Sequence, residues 1–287
     1  MNKKINHKKY LIEIIIFIIG MFAIHIFLFS NAFKGTVINS KNASEYGSFI
    51  GGYLGSIFML ASILLLIITI KDQRNYSEIQ LFENRFFLLI DLHSKNVENI
   101  GISDFKGKKV FVLLIREFRE ILKIAKTIFI DFNQSDLINI SYLALYFGLG
   151  PNSTRILKNY LKKYDEVLVN NFLHKLETEK LMIKEKRDFK YIPFEGHQSR
   201  LGHYYRHLFQ TVTFVDNKKL DIDKYSYIKI LRAQLSNHEQ VLLAINTLSD
   251  LGKKWKEQKL ISKYKLIKNI PKGFFNTESE FYIIDYK

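Results

Sequence analysis

Two long apolar runs open the chain, and amphipathic patterns with a period of three to four residues follow them. The runs 10–29 and 48–70 each reach the ~20 residues that an α-helix needs to cross a bilayer. Beyond them, strand-like alternation of apolar and polar residues is rare. The pattern predicts an all-α protein with an N-terminal two-helix transmembrane hairpin at residues 1–70 and a helical cytoplasmic domain at residues 71–287.

The flanking charges predict how the hairpin is oriented. Four lysines precede the first run, and Lys71 and Arg74 follow the second, as expected for cytoplasmic flanks. A signal peptide also begins with basic residues, but the first run is too long for one and a second run follows closely. We therefore expect a multi-pass protein of the bacterial inner (plasma) membrane with both termini in the cytoplasm.

Glycines spaced four residues apart in the second run give one smooth helix face, formed by Gly47, Gly51 and Gly55. Small residues at this spacing let transmembrane helices approach closely. The face could pack against the first span of the same chain or against a second copy, so a homo-oligomer is one expected assembly.

Three further helices are predicted from the spacing of apolar residues. The helix that leaves the membrane, within 71–100, carries Ile79, Phe82, Phe86, Leu89 and Leu92 at helical spacing. The segments 153–186 and 227–252 each read as one continuous helix, and the first carries an apolar series through Leu157, Leu161, Val167 and Leu176. The last residues, 268–287, read as a short extended tail.

Two polar-striped helices between Gly196 and Pro271 stand out as the candidate site. The first, 196–216, has an apolar stripe made of Leu201, Tyr205, Leu208, Val212 and Val215. Its other stripe holds flat side chains with several donors, where Lys and Glu would be usual: Arg200, His203, Arg206, His207 and Gln210. The second helix is expected to bury Leu231, Leu235, Leu242 and Ile245, beside a polar face with Arg232, Ser236, Glu239 and Asn246.

These two faces supply the candidate functional residues. The catalytic candidates are Arg200, His203, Arg206, His207, Arg232 and Glu239, and the ligand-binding candidates are Arg206, His207, Arg232, Ser236 and Asn246. We expect Arg206, His207, Arg232 and Glu239 to form one connected network. The network is either a structural core or a small anionic-ligand site.

Two chemistries fit the spacing of these residues. His203 and His207 lie four residues apart, as a metal pair requires, and Glu239 or His238 could complete the ligand set, but the helix lacks the glutamate of the HExxH motif. In ribonucleases of the HEPN type, an arginine followed after four to six residues by a histidine forms the site. Arg200 with His207 and Arg232 with His238 meet that spacing. No metal and no cofactor is expected.

Four blocks of the sequence resemble a known family. They are FENRFFLLIDLHSKNVENI, GHQSRLGHYYRHLFQ, ILRAQLSNHEQVLLAINTLSDLGKKW and YKLIKNIP, and together they cover most of the chain from Leu81 to Pro271. They are similar to the AbiC-like, membrane-anchored abortive infection proteins of bacteria. The resemblance implies a role in antiphage defence, as sensor or effector, and brings no established catalytic residues.

The composition excludes cysteine chemistry and indicates the charge of the expected partners. The chain has no Cys, which excludes disulfides, thiol nucleophiles and Cys-ligated zinc. Its net charge of +15 suggests anionic partners. Besides the lipid bilayer, we therefore expect a phage component or a nucleic acid as partner. A membrane-tethered HEPN-type ribonuclease and a non-enzymatic membrane scaffold are the alternative functions.

Overall fold

The computed structural model describes residues 7–32, 40–268 and 270, and divides the chain into two compact units, Met1–Tyr76 and Ser77–Lys287. The structure is 79% helical, and its described strands form only one hairpin of two residues a strand, which confirms the all-α class. Nearly all of the predicted extended tail lies outside the described residues. The roles assigned to the two parts of the chain stay predictions.

The first unit contains helix α1, His7–Ala32, and the first part of helix α2, Ser40–Asn99. The His25 Nδ1 atom lies 3.3 Å from the Tyr46 hydroxyl, and the two rings are 5.8 Å apart. These contacts link the two helices within this unit.

Among the described residues, the Ala43–Asn99 part of α2 is the one helical segment that is long and apolar enough, by length and composition, to cross a membrane. None of its most apolar stretch is buried. In α1 the described apolar stretch is the shorter Ile14–Ile26, and the side chains on either side of it lie outside the described residues. The second span is therefore supported by composition, whereas the hairpin stays a prediction.

The second unit begins within α2 and continues through a small hairpin and a series of helices. Strands β1, Gly101–Ile102, and β2, Phe105–Lys106, pair antiparallel, with Gly101 opposite Lys106. The helices that follow are α3 (Lys108–Ile128), α4 (Gln134–Phe147), α5 (Ser153–Tyr160), α6 (Glu166–Lys186), α7 (Gln198–Asp216), α8 (Lys224–Gln234), α9 (Asn237–Leu248), a 3-10 turn (Asp250–Gly252), α10 (Lys253–Glu257) and α11 (Leu260–Tyr264).

Helices α3 and α4 form the centre of this unit. Helix α3 packs against α4, α6 and α9, and α4 packs against α5, α7 and α9. Along α3, fully buried Val110, Leu114, Phe118, Ile121 and Ala125 recur every three or four residues, so one face of the helix is covered over its whole length. Helix α4 is buried nearly all around, since ten of its fourteen residues are in the core.

The predicted apolar faces of the polar-striped helices are confirmed. All five residues of the first stripe, Leu201, Tyr205, Leu208, Val212 and Val215, are buried. The four of the second set, Leu231, Leu235, Leu242 and Ile245, are buried as well. The helical spacing of apolar residues alone therefore predicted the buried faces of α7, α8 and α9.

Two predicted continuous helices are each broken by a capping residue. The segment 153–186 breaks before Asp165, whose side chain accepts a hydrogen bond from the Leu168 N–H, and Val167 is 65% exposed instead of facing the core. The segment 227–252 breaks at Ser236, which caps α9. Side-chain oxygens at these positions satisfy amides that a continuous helix would bond to its own carbonyls.

The predicted face of α2 is correct at Phe82 and Phe86, which are buried, and wrong at Leu92, which is 40% exposed. The buried face runs instead through His93 and Val97. The prediction passed over His93 because it is polar, although it lies at the correct spacing from Phe86 and Val97.

Candidate functional site

The segment before α7 is held in place by a close crossing of two backbones. Gly148 and Gly196 both have positive φ, and a Cβ atom on Gly196 would lie 2.2 Å from the Phe147 carbonyl oxygen. The His197 N–H donates to the Tyr146 carbonyl at 2.9 Å. Only glycine fits this crossing without strain, and the crossing fixes where His197 enters α7.

A fully buried carboxylate on α3 accepts hydrogen bonds from the segment before α7. Glu117 accepts hydrogen bonds from the Tyr191 hydroxyl at 2.6 Å, the Phe194 N–H at 2.8 Å and His197 Nε2 at 3.1 Å. Burial works to raise the pKa of the Glu117 carboxyl, but attraction to His197 and the donated hydrogen bonds hold that pKa below its usual range. Burial and the Glu117 charge raise the pKa of Tyr191, so the Tyr191 hydroxyl stays a donor.

The same histidine, His197, also contacts an arginine, Arg200. His197 Nδ1 lies 3.3 Å from Arg200 Nη1; because arginine only donates, this contact is a hydrogen bond when Nδ1 carries no proton and Nε2 carries the one that faces Glu117. Arg200 Nε donates to the Gly101 carbonyl at 2.7 Å. A chain of hydrogen bonds therefore runs from α3 through Glu117, His197 and Arg200 to β1.

Arg200 lies at the wall of a cavity of about 320 Å³. Eight residues line the cavity: Asn96, Asn99, Ile100, Gly101, Ser199, Arg200, His203 and Tyr204. The lining contains no carboxylate; it combines one guanidinium, one imidazole, two amides and a hydroxyl with the apolar surfaces of Ile100 and Tyr204. We call this space the α7 cavity.

Two of the predicted candidates, Arg200 and His203, meet in the α7 cavity, and the neighbouring candidates do not. Arg206 is exposed. His207 is half-buried; its Nε2 donates to the Leu89 carbonyl at 2.9 Å, and its ring stacks at 6.0 Å on His93. The polar stripe of α7 therefore divides between the cavity and other surroundings.

Arg232 has a structural position at the end of another helix. Its Nη1 donates to the Lys265 carbonyl at 2.7 Å and to the Tyr264 carbonyl at 3.5 Å, and its guanidinium lies 6.0 Å from the centre of the Tyr225 ring. A cation that bonds the last carbonyls of a helix is favoured there by the helix dipole. Arg232 thus ties α8 to the C-terminal end of α11.

The remaining candidates of the second helix also have structural partners. Ser236 and Glu239 form a reciprocal capping box at the start of α9, and Glu239 Oε1 accepts from the Tyr204 hydroxyl at 3.1 Å. The Asn246 amide donates to the Tyr142 hydroxyl at 3.0 Å in the core. The Ser-x-x-Glu spacing in the sequence is itself the signal of a capping box, and the site prediction overlooked it.

The predicted four-residue network is therefore wrong. Within residues 40–268, no hydrogen bond or ion pair joins any two of Arg206, His207, Arg232 and Glu239. Each of the last three bonds a different element, because α8 ends at Gln234 and the Ser236 cap starts a new helix. The two predicted polar faces do not pair.

The geometry of the described residues gives little support to the metal site or to the HEPN-type arginine–histidine pairs. Glu239 is committed to the capping box, and the described residues contain no cluster of three His, Cys, Asp or Glu side chains that could hold a metal. For the HEPN spacing, Arg200 lines the α7 cavity without His207, and Arg232 bonds backbone carbonyls rather than facing His238. In the α7 cavity, neither arginine is joined by the histidine that follows it at the HEPN spacing.

Sequence reasoning missed Glu117, His197 and His93. Glu117 stands on the apolar face of α3, between Leu114 and Ile121, where the helical period calls for an apolar residue. A charged residue at such a position signals a buried polar contact. His197 stands in the first turn of the predicted helix 196–216 and offered no comparable signal.

Comparison with known proteins bears on this region of the chain. Residues 196–275 match the family described as Putative phage abortive infection protein. No curated protein and no solved structure matches the chain. The matched segment contains α7 to α11, including Arg200 and His203 of the α7 cavity, so this part of the chain is similar to the phage abortive infection family.

Proposed function

We propose that this protein is a membrane-associated abortive infection protein that acts as a sensor or effector of antiphage defence. The observation that carries the proposal is the match of residues 196–275 to the phage abortive infection family. The apolar, unburied part of α2 supports attachment to a membrane, since burying such a surface in lipid removes it from water.

The second unit is where we place the sensing or effector step. It holds the matched segment and the α7 cavity, whereas the first unit supplies the apolar helix. A cavity that combines apolar surface with a few polar groups, here including an arginine and a histidine, is a typical place for a ligand to bind. We infer that the first unit localises the protein and that the second unit carries the response.

Phage infection of cells that express the chain tests the proposal. We expect fewer plaques than with an empty vector for at least one phage in a broad panel. At low multiplicity the culture should survive, and at high multiplicity it should collapse with a reduced phage burst, which distinguishes abortive infection from blocked adsorption. Equal plating across the whole panel would contradict the proposal and favour a membrane scaffold.

A further inference from the structure

We propose that the α7 cavity binds a small ligand through a phosphate group and that Arg200 is the principal anchor. The proposal concerns binding by this chain and stands apart from its role in defence. It also moves the ligand site from the predicted helix pair to a cavity between the end of α2, β1 and the start of α7.

The guanidinium of Arg200 is held through two of its three nitrogen atoms. Its Nε donates to Gly101 and its Nη1 to His197, which uses two of its five N–H groups. Within residues 40–268, the other three N–H groups have no protein acceptor. A fixed guanidinium with free donors at a cavity wall suits the planar, two-point recognition of a phosphate.

The rest of the lining favours an anion over a cation. With no carboxylate in the wall, a cation would find only neutral or positive neighbours, whereas Asn96, Asn99, Ser199 and His203 can all donate to oxyanion oxygens. The cavity lies at the N-terminal end of α7 and at the C-terminal end of α2, so the two helix dipoles oppose each other there and the side chains decide its preference.

The size of the cavity limits the ligand class. About 320 Å³ is at the lower end of the range for small-molecule sites, which leaves room for a phosphate and a modest group attached to it. The apolar surfaces of Ile100 and Tyr204 can pack against that attached group. A phosphate monoester such as a mononucleotide, or free phosphate, has the required chemistry.

Glu117 and His197 act here as positioning residues. His197 accepts from Arg200 on one side and donates to the buried Glu117 on the other, so the arginine cannot rotate without breaking a partly buried hydrogen bond. An arginine that is oriented before binding loses less conformational entropy when the ligand arrives.

Titration calorimetry on the full chain in detergent micelles tests the site. The probes are inorganic phosphate, adenosine 5′-monophosphate and, as the phosphate-free control, adenosine. We expect both phosphate-bearing probes to bind and adenosine not to bind. Tighter binding of the nucleotide than of phosphate indicates a phosphate monoester as the natural class, and equal binding indicates the free oxyanion.

Two variants assign that binding to the cavity. Arg200→Ala removes the anchor, and Ser199→Glu places a carboxylate in the lining from an exposed position while leaving Arg200 unchanged. Each should weaken phosphate binding about tenfold or more, the usual effect of losing a charge-assisted hydrogen bond or adding like charge. Arg85→Ala, at an exposed arginine outside the cavity, is the matched control and should bind as the unmodified chain does.

Ser199→Glu keeps the test decisive if Arg200→Ala fails to fold, because an acidic residue is favoured in the first turn of a helix. Its thermal unfolding should match that of the unmodified chain. The proposal is overturned if neither phosphate-bearing probe binds up to about 10 mM, which is weaker than millimolar affinity. It is equally overturned if adenosine binds as well as its monophosphate, or if folded Ser199→Glu binds phosphate normally.

Discussion

His93 shows at the scale of a single residue how the core can hold a polar group at a cost. It is 1% exposed, and within the described residues neither ring nitrogen has a hydrogen-bond partner. It lies in the part of α2 that belongs to the second unit, outside the predicted span. Burial, and then repulsion from His207 and Lys108, lower the pKa of His93 to about 4.

This lowered pKa predicts a dependence of stability on pH. In the unfolded chain His93 regains its ordinary pKa of 6.5, so protonation favours unfolding as the pH falls from 6.5 towards about 4. The contribution of His93 is fully present above pH 6.5, and we expect about 2 kcal/mol of it to be lost between about pH 7 and pH 5.

Urea unfolding of His93→Phe at both pH values measures that contribution. The free energy of unfolding of this variant should change less with pH, because no group titrates at the site, and should not fall at pH 7, because the replacement buries no unpaired polar atom. His174→Phe, at an exposed histidine, is the control and should keep the original dependence. An unchanged pH dependence in His93→Phe would contradict the assignment.

At the scale of elements, capping residues and glycine crossings decide where the helices of the second unit end and how they meet. Ser236 starts a new helix inside a segment that the apolar pattern alone reads as one helix, and the Gly148–Gly196 crossing brings the segment before α7 against the end of α4. The crossing positions His197 and Arg200, which lie far in sequence from Glu117 and Gly101.

The crossing predicts a strong effect of a very small change. Gly196→Ala would place a Cβ atom 2.2 Å from the Phe147 carbonyl oxygen at a φ of +89°. We expect a loss of about 3–5 kcal/mol in the free energy of unfolding, at the upper end for single substitutions. Chemical denaturation measures this loss.

Gly101→Ala is the matched control for that substitution. The nearest atom to its added Cβ is 3.7 Å away, an ordinary contact, so its loss should stay below about 1 kcal/mol. Equal stability of the two variants would mean that the crossing does not constrain the segment before α7.

At the scale of the whole molecule, the questions are which compartment the second unit occupies and what the apolar helix contributes. The lysine flanks predict that the chain after the second span is cytoplasmic. A reporter fused after residue 75 should therefore show cytoplasmic activity in a bacterial host. A reporter that is active only when exported would reverse the topology and place the α7 cavity outside the cytoplasm.

The glycine face of α2 predicts a separable role for the apolar part of this helix. A Cβ atom added to Gly47, Gly51 or Gly55 meets no described atom within 4 Å, so Leu at position 51 fits a single copy of the chain. If spans of neighbouring copies associate through this face, Gly51→Leu should abolish protection against phage while the protein remains in the membrane.

Phage plating on three variants distinguishes an effect exerted through the membrane from an effect exerted through the α7 cavity. Leu60→Phe, on the opposite side of the same helix, is the control and should protect normally. Loss of protection with Gly51→Leu alone indicates an effect exerted through the membrane, and loss with Ser199→Glu alone indicates an effect exerted through the α7 cavity. Full protection by Gly51→Leu would show that the glycine face is dispensable.

Hydrophobic period by itself determined the helical class and the buried sides of α7, α8 and α9, because burial of apolar side chains imposes that period locally. The tertiary structure decided which polar groups meet. Glu117 bonds His197 eighty positions away, and Arg200 reaches Gly101 across a similar distance in sequence. A polar side chain can be satisfied by any nearby donor or acceptor, so its partner is set by the packing of distant helices and not by its own spacing.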